Sequence, residues 1–269
     1  MAASSTFFAT NGEGYELNMG RWSRRLAGPF LDFSDVVHAE RILDVGCGTG
    51  HLCGAVWASR ADAEVHGIDI SPAYVAYARR QYPAPAIRFA VGDACRLDYS
   101  DAFFDCVLSM LVLHFVPDPQ AAIAEMVRVA RPGATVAATV WDVRGGFVAN
   151  RLFWDTAAVL DSAAGERRAR NYTRPMTRPG EMQAAWQAAG LVDVREFVLT
   201  VRMEFISFAD YWQPYLGQDG PGAEYVRSLD DARRQRLEQA VRAAYLDGEI
   251  DGPRSFAALA WAVRGTVAA

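Results

Sequence analysis

From Arg41 to Asp142 the chain alternates short runs of aliphatic and β-branched residues with longer stretches whose apolar positions recur every three or four residues. Runs of the first kind suit strands buried on both faces, and the second spacing suits helices laid over them. The alternation therefore predicts a parallel sheet covered on both sides. Strands are expected at Arg41 to Val45, Glu64 to Ile70, Ile87 to Val91, Phe104 to Met110 and Ala134 to Trp141. Two intervening helices open on a capping residue followed by proline, Ser71-Pro72 and Asp118-Pro119, and Gly133 is positioned to end the second.

The rhythm breaks between Val143 and Gly190, where Gly145-Gly146, several aromatics and a helical run from Glu181 to Ala189 stand. This stretch reads as a cap inserted over the sheet edge, residues 143–190, closing an acceptor pocket. Leu191 to Phe208 is strand-like again, Ser207 is placed to cap a helix, Asp230 to Leu246 is amphipathic, and Ser255 to Val267 reads as a last strand. The expected fold is α/β, a doubly wound, mostly parallel seven-stranded sheet with a helical cap insertion. The 269 residues fit one domain, with residues 1–35 forming an N-terminal arm and helix.

Composition narrows the function. With a formal charge of −5 and no basic block, the electrostatic footprint of a nucleic-acid binder is missing. All 27 basic residues are arginine, so Schiff-base chemistry and a lysine general base are excluded. The alanine-rich, lysine-free composition hints at a GC-rich bacterial genome. No apolar run approaches the ~20 residues that cross a bilayer, and the chain opens on polar residues rather than a signal segment. A soluble, cytoplasmic protein with reduced thiols and no membrane partner is expected. Oligomeric state is not legible.

Chemistry concentrates in RILDVGCGTG, Arg41 to Gly50, where a strand runs into glycines at alternate positions and then a helix. Such a loop lets backbone approach a ligand closely, and the helix N-terminus favours negative charge. The third glycine comes one residue too early for the dinucleotide fingerprint. Asp69, ending the second strand, is a carboxylate suited to ribose hydroxyls, a device that nicotinamide enzymes share. Gly92-Asp93-Ala94 ends the third strand.

Asp44 to Gly50, followed by Asp69 and by Gly92-Asp93-Ala94, resembles the motifs of class I S-adenosylmethionine-dependent methyltransferases with a Rossmann-like sheet. Phe104 to Pro119 and Arg128 to Val136 resemble the small-molecule, methyltransferase type 11-like branch; the likeness covers about residues 15 to 142. It implies a cofactor site of Asp44, Gly46, Cys47, Gly48, Gly50 and Ser109, with Asp69 on the ribose. Asp93, Ala94 and Ile70 would then hold the adenine. An N-terminal arm bearing Tyr15, Met19 and Arg21 would fold over S-adenosylmethionine, Arg21 either pairing with its carboxylate or standing solvated.

His114 follows the fourth strand and is a candidate general base, set against a structural histidine. Trp141, Phe147, Trp154, Tyr172, Trp212 and Tyr215 are candidates for an acceptor pocket or for the cap's own core. Arg174 is a candidate for an acceptor carboxylate or a surface residue. The cysteines match neither arsenic nor cytosine methyltransferases, and the histidines show no metal-ligand spacing. The resulting expectation is transfer of a methyl group to an oxygen, nitrogen or carbon of a small molecule, yielding S-adenosylhomocysteine without a metal. The alternatives are a S-adenosylmethionine-binding sensor or scaffold, and a nicotinamide-dependent oxidoreductase.

Overall fold

The structure, a computed structural model, describes residues 11–36 and 38–269, so the first ten residues of the expected arm lie outside the described residues. Seven strands form one sheet: β1 (Arg41–Val45), β2 (Glu64–Asp69), β3 (Ile87–Val91), β4 (Phe104–Met110), β5 (Ala130–Trp141), β6 (Leu191–Phe205) and β7 (Arg254–Val267). Their order is β3-β2-β1-β4-β5-β7-β6, with β7 antiparallel to both neighbours and the other pairings parallel. The order reverses between β1 and β4, which opens a crevice beyond their carboxyl ends, the place where open α/β sheets bind ligands. β4 is buried along almost its whole length, as its unbroken apolar run requires.

Helices α1 (Gly12–Tyr15) and α2 (Arg21–Ser34) precede the sheet and are joined by a π-helical turn, Glu16–Gly20. Next come α3 (His51–Ser59), α4 (Pro72–Gln81) and α5 (Pro119–Val129). The Ser71 and Asp118 side chains cap α4 and α5 by accepting from the backbone N–H groups of Tyr74 and Ala121. Gly133 does not end α5, which stops at Val129. It stands four residues on, at φ +79°, where the pairing of β4 with β5 shifts register.

After β5 come α6 (Val148–Leu160), α7 (Ser162–Tyr172) and α8 (Glu181–Ala188); between β6 and β7 lie α9 (Phe208–Trp212), α10 (Pro221–Arg227) and α11 (Asp231–Leu246). The helices of the cap are not confined to the expected 143–190 insertion, and one helix of that stretch lies elsewhere. α8 covers the sheet, packing on β6 and β7, with Trp186 fully buried and its Nε1 donating to the Val136 carbonyl at 2.9 Å. α11 instead packs on α6 and completes the cap from a second insertion. The sequence period marks a buried face on each helix without naming the surface it meets.

The apolar core lies on both sides of the sheet. On one, α5 and α8 bury Ile123, Met126 and Met182. On the other, Trp22, Leu26 and Phe30 of α2 form one continuous cluster with Phe153 and Trp154 of α6, Tyr211 of α9 and Tyr245 of α11. The cap thus shares the sheet's own core. β6 and β7 pair from Leu191↔Val267 to Phe205↔Arg254, beyond the last β5 partner at Ala260, so the ribbon projects past the sheet and supports the cap.

Candidate functional site

The strand β1 leads into a loop in which Gly46, Gly48 and Gly50 all take positive φ, at +78°, +53° and +91°. That conformation costs a side chain energy, and at Gly46 an added Cβ would also lie 2.3 Å from Val112. At Gly48 it would meet nothing within 4 Å, because this residue faces an open cleft. The Gly46 and Cys47 N–H groups donate to the Ile68 carbonyl at 2.8 and 2.7 Å, and Gly48 N–H donates to Asp69 Oδ2 at 2.9 Å. The loop is thereby pinned to the end of β2.

Asp69 also accepts from Ser71 N–H through Oδ1 at 2.8 Å. Each oxygen accepts one amide and keeps a second lone pair for a ligand hydroxyl. Burial raises the Asp69 carboxyl above its usual range, and the two amide bonds oppose the rise. Asp93 is fixed by the N–H of Cys95 at 2.9 Å. With its mouth the cleft contains about 740 Å³, and Tyr15, Gly46, Gly48, Asp69, Ile70, Asp93 and Ala94 all line it.

Six of the residues assigned to the cofactor stand elsewhere. Asp44 is buried beneath the loop, where the Cys53 thiol donates to Oδ2 at 3.3 Å and Oδ1 has no partner among the described residues. Burial pushes its carboxyl up to about 7. Cys47 is buried, and Gly50 packs against Tyr82 and Phe89. Ser109 donates to the Val45 carbonyl at 2.9 Å and so pins β4 to β1. Arg21 does not line the cleft: it is half-exposed, and its Nη1 bonds both oxygens of Asp210, at 3.0 and 3.2 Å, which ties the arm to α9. Met19 lines a second cavity instead.

That second cavity, about 1110 Å³ with its mouth, lies under the cap and is walled by aromatics. Trp141, Phe147, Trp154, Tyr215, Arg174 and His114 line it as expected, whereas Tyr172 and Trp212 do not. Trp212 is buried in the cap, stacked on Phe208, and the Tyr172 hydroxyl donates to Asp155 at 3.4 Å. Both rings serve the cap's internal packing. His114 is buried, and burial, with repulsion from Arg174 added, lowers its imidazole to about 3. It is neutral at pH 7.

Tyr15, Leu111 and Phe115 line both cavities. Leu111, the residue after β4, holds φ +66°, a left-handed conformation that is strained for leucine and re-aims the chain between the two spaces. Sequence reading passed over Leu111 and Phe115, since an apolar stretch after a buried strand looks like core. Ser71, Tyr74 and Val112 in the cleft, and Asn18, Asn150, Asn171 and Phe205 in the cavity, were missed as well. The neighbouring Ser71-Pro72 cap was a usable signal for the first.

Residues 43–138 match the family described as a methyltransferase domain. Over this segment the chain resembles the class I S-adenosylmethionine-dependent methyltransferases. It is 42% identical over 113 residues to ajmaline N-methyltransferase of Rauvolfia serpentina, a stretch covering 40% of this chain and 38% of that protein. It is 41% identical over 99 residues to the O-methyltransferase cnsE of Penicillium expansum, covering 35% and 36%. The chain thus spans less than two fifths of the length of these methyltransferases. The fold is similar to that of phosphoethanolamine N-methyltransferase 2 of Haemonchus contortus, with TM-score 0.59 and 15% identity over 96% of this chain and 57% of that one.

Proposed function

We propose that the chain transfers the methyl group of S-adenosylmethionine to a small molecule held under the cap, by in-line displacement that leaves S-adenosylhomocysteine. The observation that carries this reading is the meeting of the two cavities at Tyr15, Leu111 and Phe115. A donor in the cleft and an acceptor under the cap would face one another across these side chains. The donor set fits the cofactor: Asp69 has lone pairs for a ribose diol, Asp93 and the Ala94 backbone flank the place for adenine, and Gly48 leaves room for the methionine portion.

S-adenosylmethionine supplies a methyl carbon activated by its sulfonium. The chain's part is positioning and exclusion of water. The aromatic walls suit a cationic centre and an apolar acceptor alike. His114, neutral and in the wall, is the proposed partner of an acceptor hydroxyl or amine, acting first as a hydrogen-bond acceptor, since an imidazole lowered to about 3 is a weak base until methyl transfer acidifies that group. The relatives act on different elements, one named for nitrogen and one for oxygen, so the attacking atom is left to experiment. A cytoplasmic enzyme that needs no metal is part of the proposal. The test is incubation with methyl-deuterated S-adenosylmethionine and a metabolite extract, read by mass spectrometry. A labelled metabolite is expected; a folded chain that retains S-adenosylhomocysteine yet labels nothing from any extract would oppose the reading.

A further inference from the structure

The cavity under the cap has one charged side chain in its lining, Arg174, and neither an aspartate nor a glutamate. The Arg174 Nη1 is buried without a hydrogen-bond partner among the described residues, and no carboxylate there forms an ion pair with it. Its guanidinium lies over the Phe115 ring, 4.3 Å from the centroid, beside the boundary with the cofactor cleft. Two further nitrogens in the same wall, His114 Nδ1 and Trp141 Nε1, are equally buried and unpartnered. Buried donors normally have partners, so the unmatched Arg174 and Trp141 N–H groups around one space, with a His114 nitrogen that donates or accepts by tautomer, mark a ligand that brings acceptors.

We infer that the acceptor carries a carboxylate, bound by Arg174 inside the cap with His114 and Trp141 beside it. This rests on the reading of the cavity as the acceptor site. A desolvated guanidinium is costly alone and is relieved by an anion in fork geometry. One cation without a second suits a monoanion better than a phosphate. The remaining walls, with Trp154, Phe147, Phe205 and Tyr215, suit a flat apolar body. The burial that lowers Arg174 to about 10 is consistent with a cation awaiting its counter-ion. Binding of a carboxylate would also offset the Arg174 repulsion on His114, the smaller of the two causes that lower that ring, while burial, the larger, stays.

The probes are 2-naphthoate and its neutral counterpart of like shape, 2-naphthamide, titrated calorimetrically into the full chain saturated with S-adenosylhomocysteine. The acid is expected to bind about tenfold to a hundredfold more tightly than the amide. Arg174→Gln should abolish that difference while leaving S-adenosylhomocysteine affinity unchanged and the melting temperature unchanged or raised, since an uncompensated buried charge is removed. Equal binding of acid and amide, no binding of the acid up to millimolar concentration, or a preference that survives in Arg174→Gln would overturn the inference. So would weaker S-adenosylhomocysteine binding in that variant, which would assign Arg174 to the cofactor. The comparison on the wild-type chain stands even where the variant fails to fold. If S-adenosylhomocysteine itself does not bind, the methyltransferase reading fails, and the acid-to-amide comparison on the chain alone still decides the carboxylate.

Discussion

At the scale of the residue, Asp69 and Gly48 are two ends of one bond, and their substitutions test cofactor binding. Asp69→Ala is expected to weaken S-adenosylhomocysteine by ~1.5 to 3 kcal/mol, the worth of a charge-assisted bond, when measured by calorimetry. Gly48→Val should lower the melting temperature, because a β-branched residue is strained at φ +53°, without a clash of its Cβ inside the fold, and should abolish cofactor binding; normal affinity would remove the loop from the site. Two buried groups give stability opposite slopes in pH. Asp44, held up to about 7, contributes stability that is present below its unfolded pKa of roughly 3.9 and lost as pH rises toward 7. His114, held down to about 3, contributes stability that is present above roughly 6.5 and lost as pH falls toward 3. On acidification from neutral pH, urea unfolding should find Asp44→Asn losing stability more steeply than the parent and His114→Gln less steeply. Profiles parallel to the parent would contradict both assignments. The glycine loop and its carboxylates were legible in sequence because their spacing is local. The place of Arg21 was not, since Asp210 is distant in the chain and only the fold brings the two together.

At the scale of the element, the arm is latched rather than draped. Glu16, in the π-helical turn, accepts from His51 Nε2 at 2.7 Å, and the Tyr82 hydroxyl meets Nδ1 at 3.1 Å. Gly20 lies against the same carboxylate, and a Cβ there would fall 2.3 Å from it. π-turns recur at functional sites, and this one carries Tyr15 to both cavities. Glu16→Ala is expected to speed amide exchange across residues 12–20 and to quicken S-adenosylhomocysteine release, with little change in the melting of the sheet. Unaltered exchange would show the latch to be idle. Strands, helix caps and the amphipathic α11 were all readable from period and capping residues. The assignment of α8 to the cap was not, because a buried stripe looks the same whether it meets a sheet or another helix.

At the scale of the whole molecule, cap and sheet share one core, so they are expected to unfold together. Phe153→Ala, which removes a fully buried ring stacked on Tyr215 at 3.9 Å, should cost ~3 to 5 kcal/mol. Calorimetry should record that loss in a single transition; an early, separate melting of the cap would refute the shared core. The mostly parallel, seven-stranded sheet followed from the family resemblance and from the alternation of elements. The two-part origin of the cap lay beyond that resemblance, in the least familiar part of the chain. The wall shared by Tyr15, Leu111 and Phe115 has a thermodynamic consequence of its own. Any adjustment of those side chains on filling one chamber reshapes the other, and reciprocity then requires each occupant to alter the other's affinity by the same factor. Acceptors sought on the empty protein would therefore be ranked against the wrong chamber; the ranking that matters is the one made with its neighbour filled.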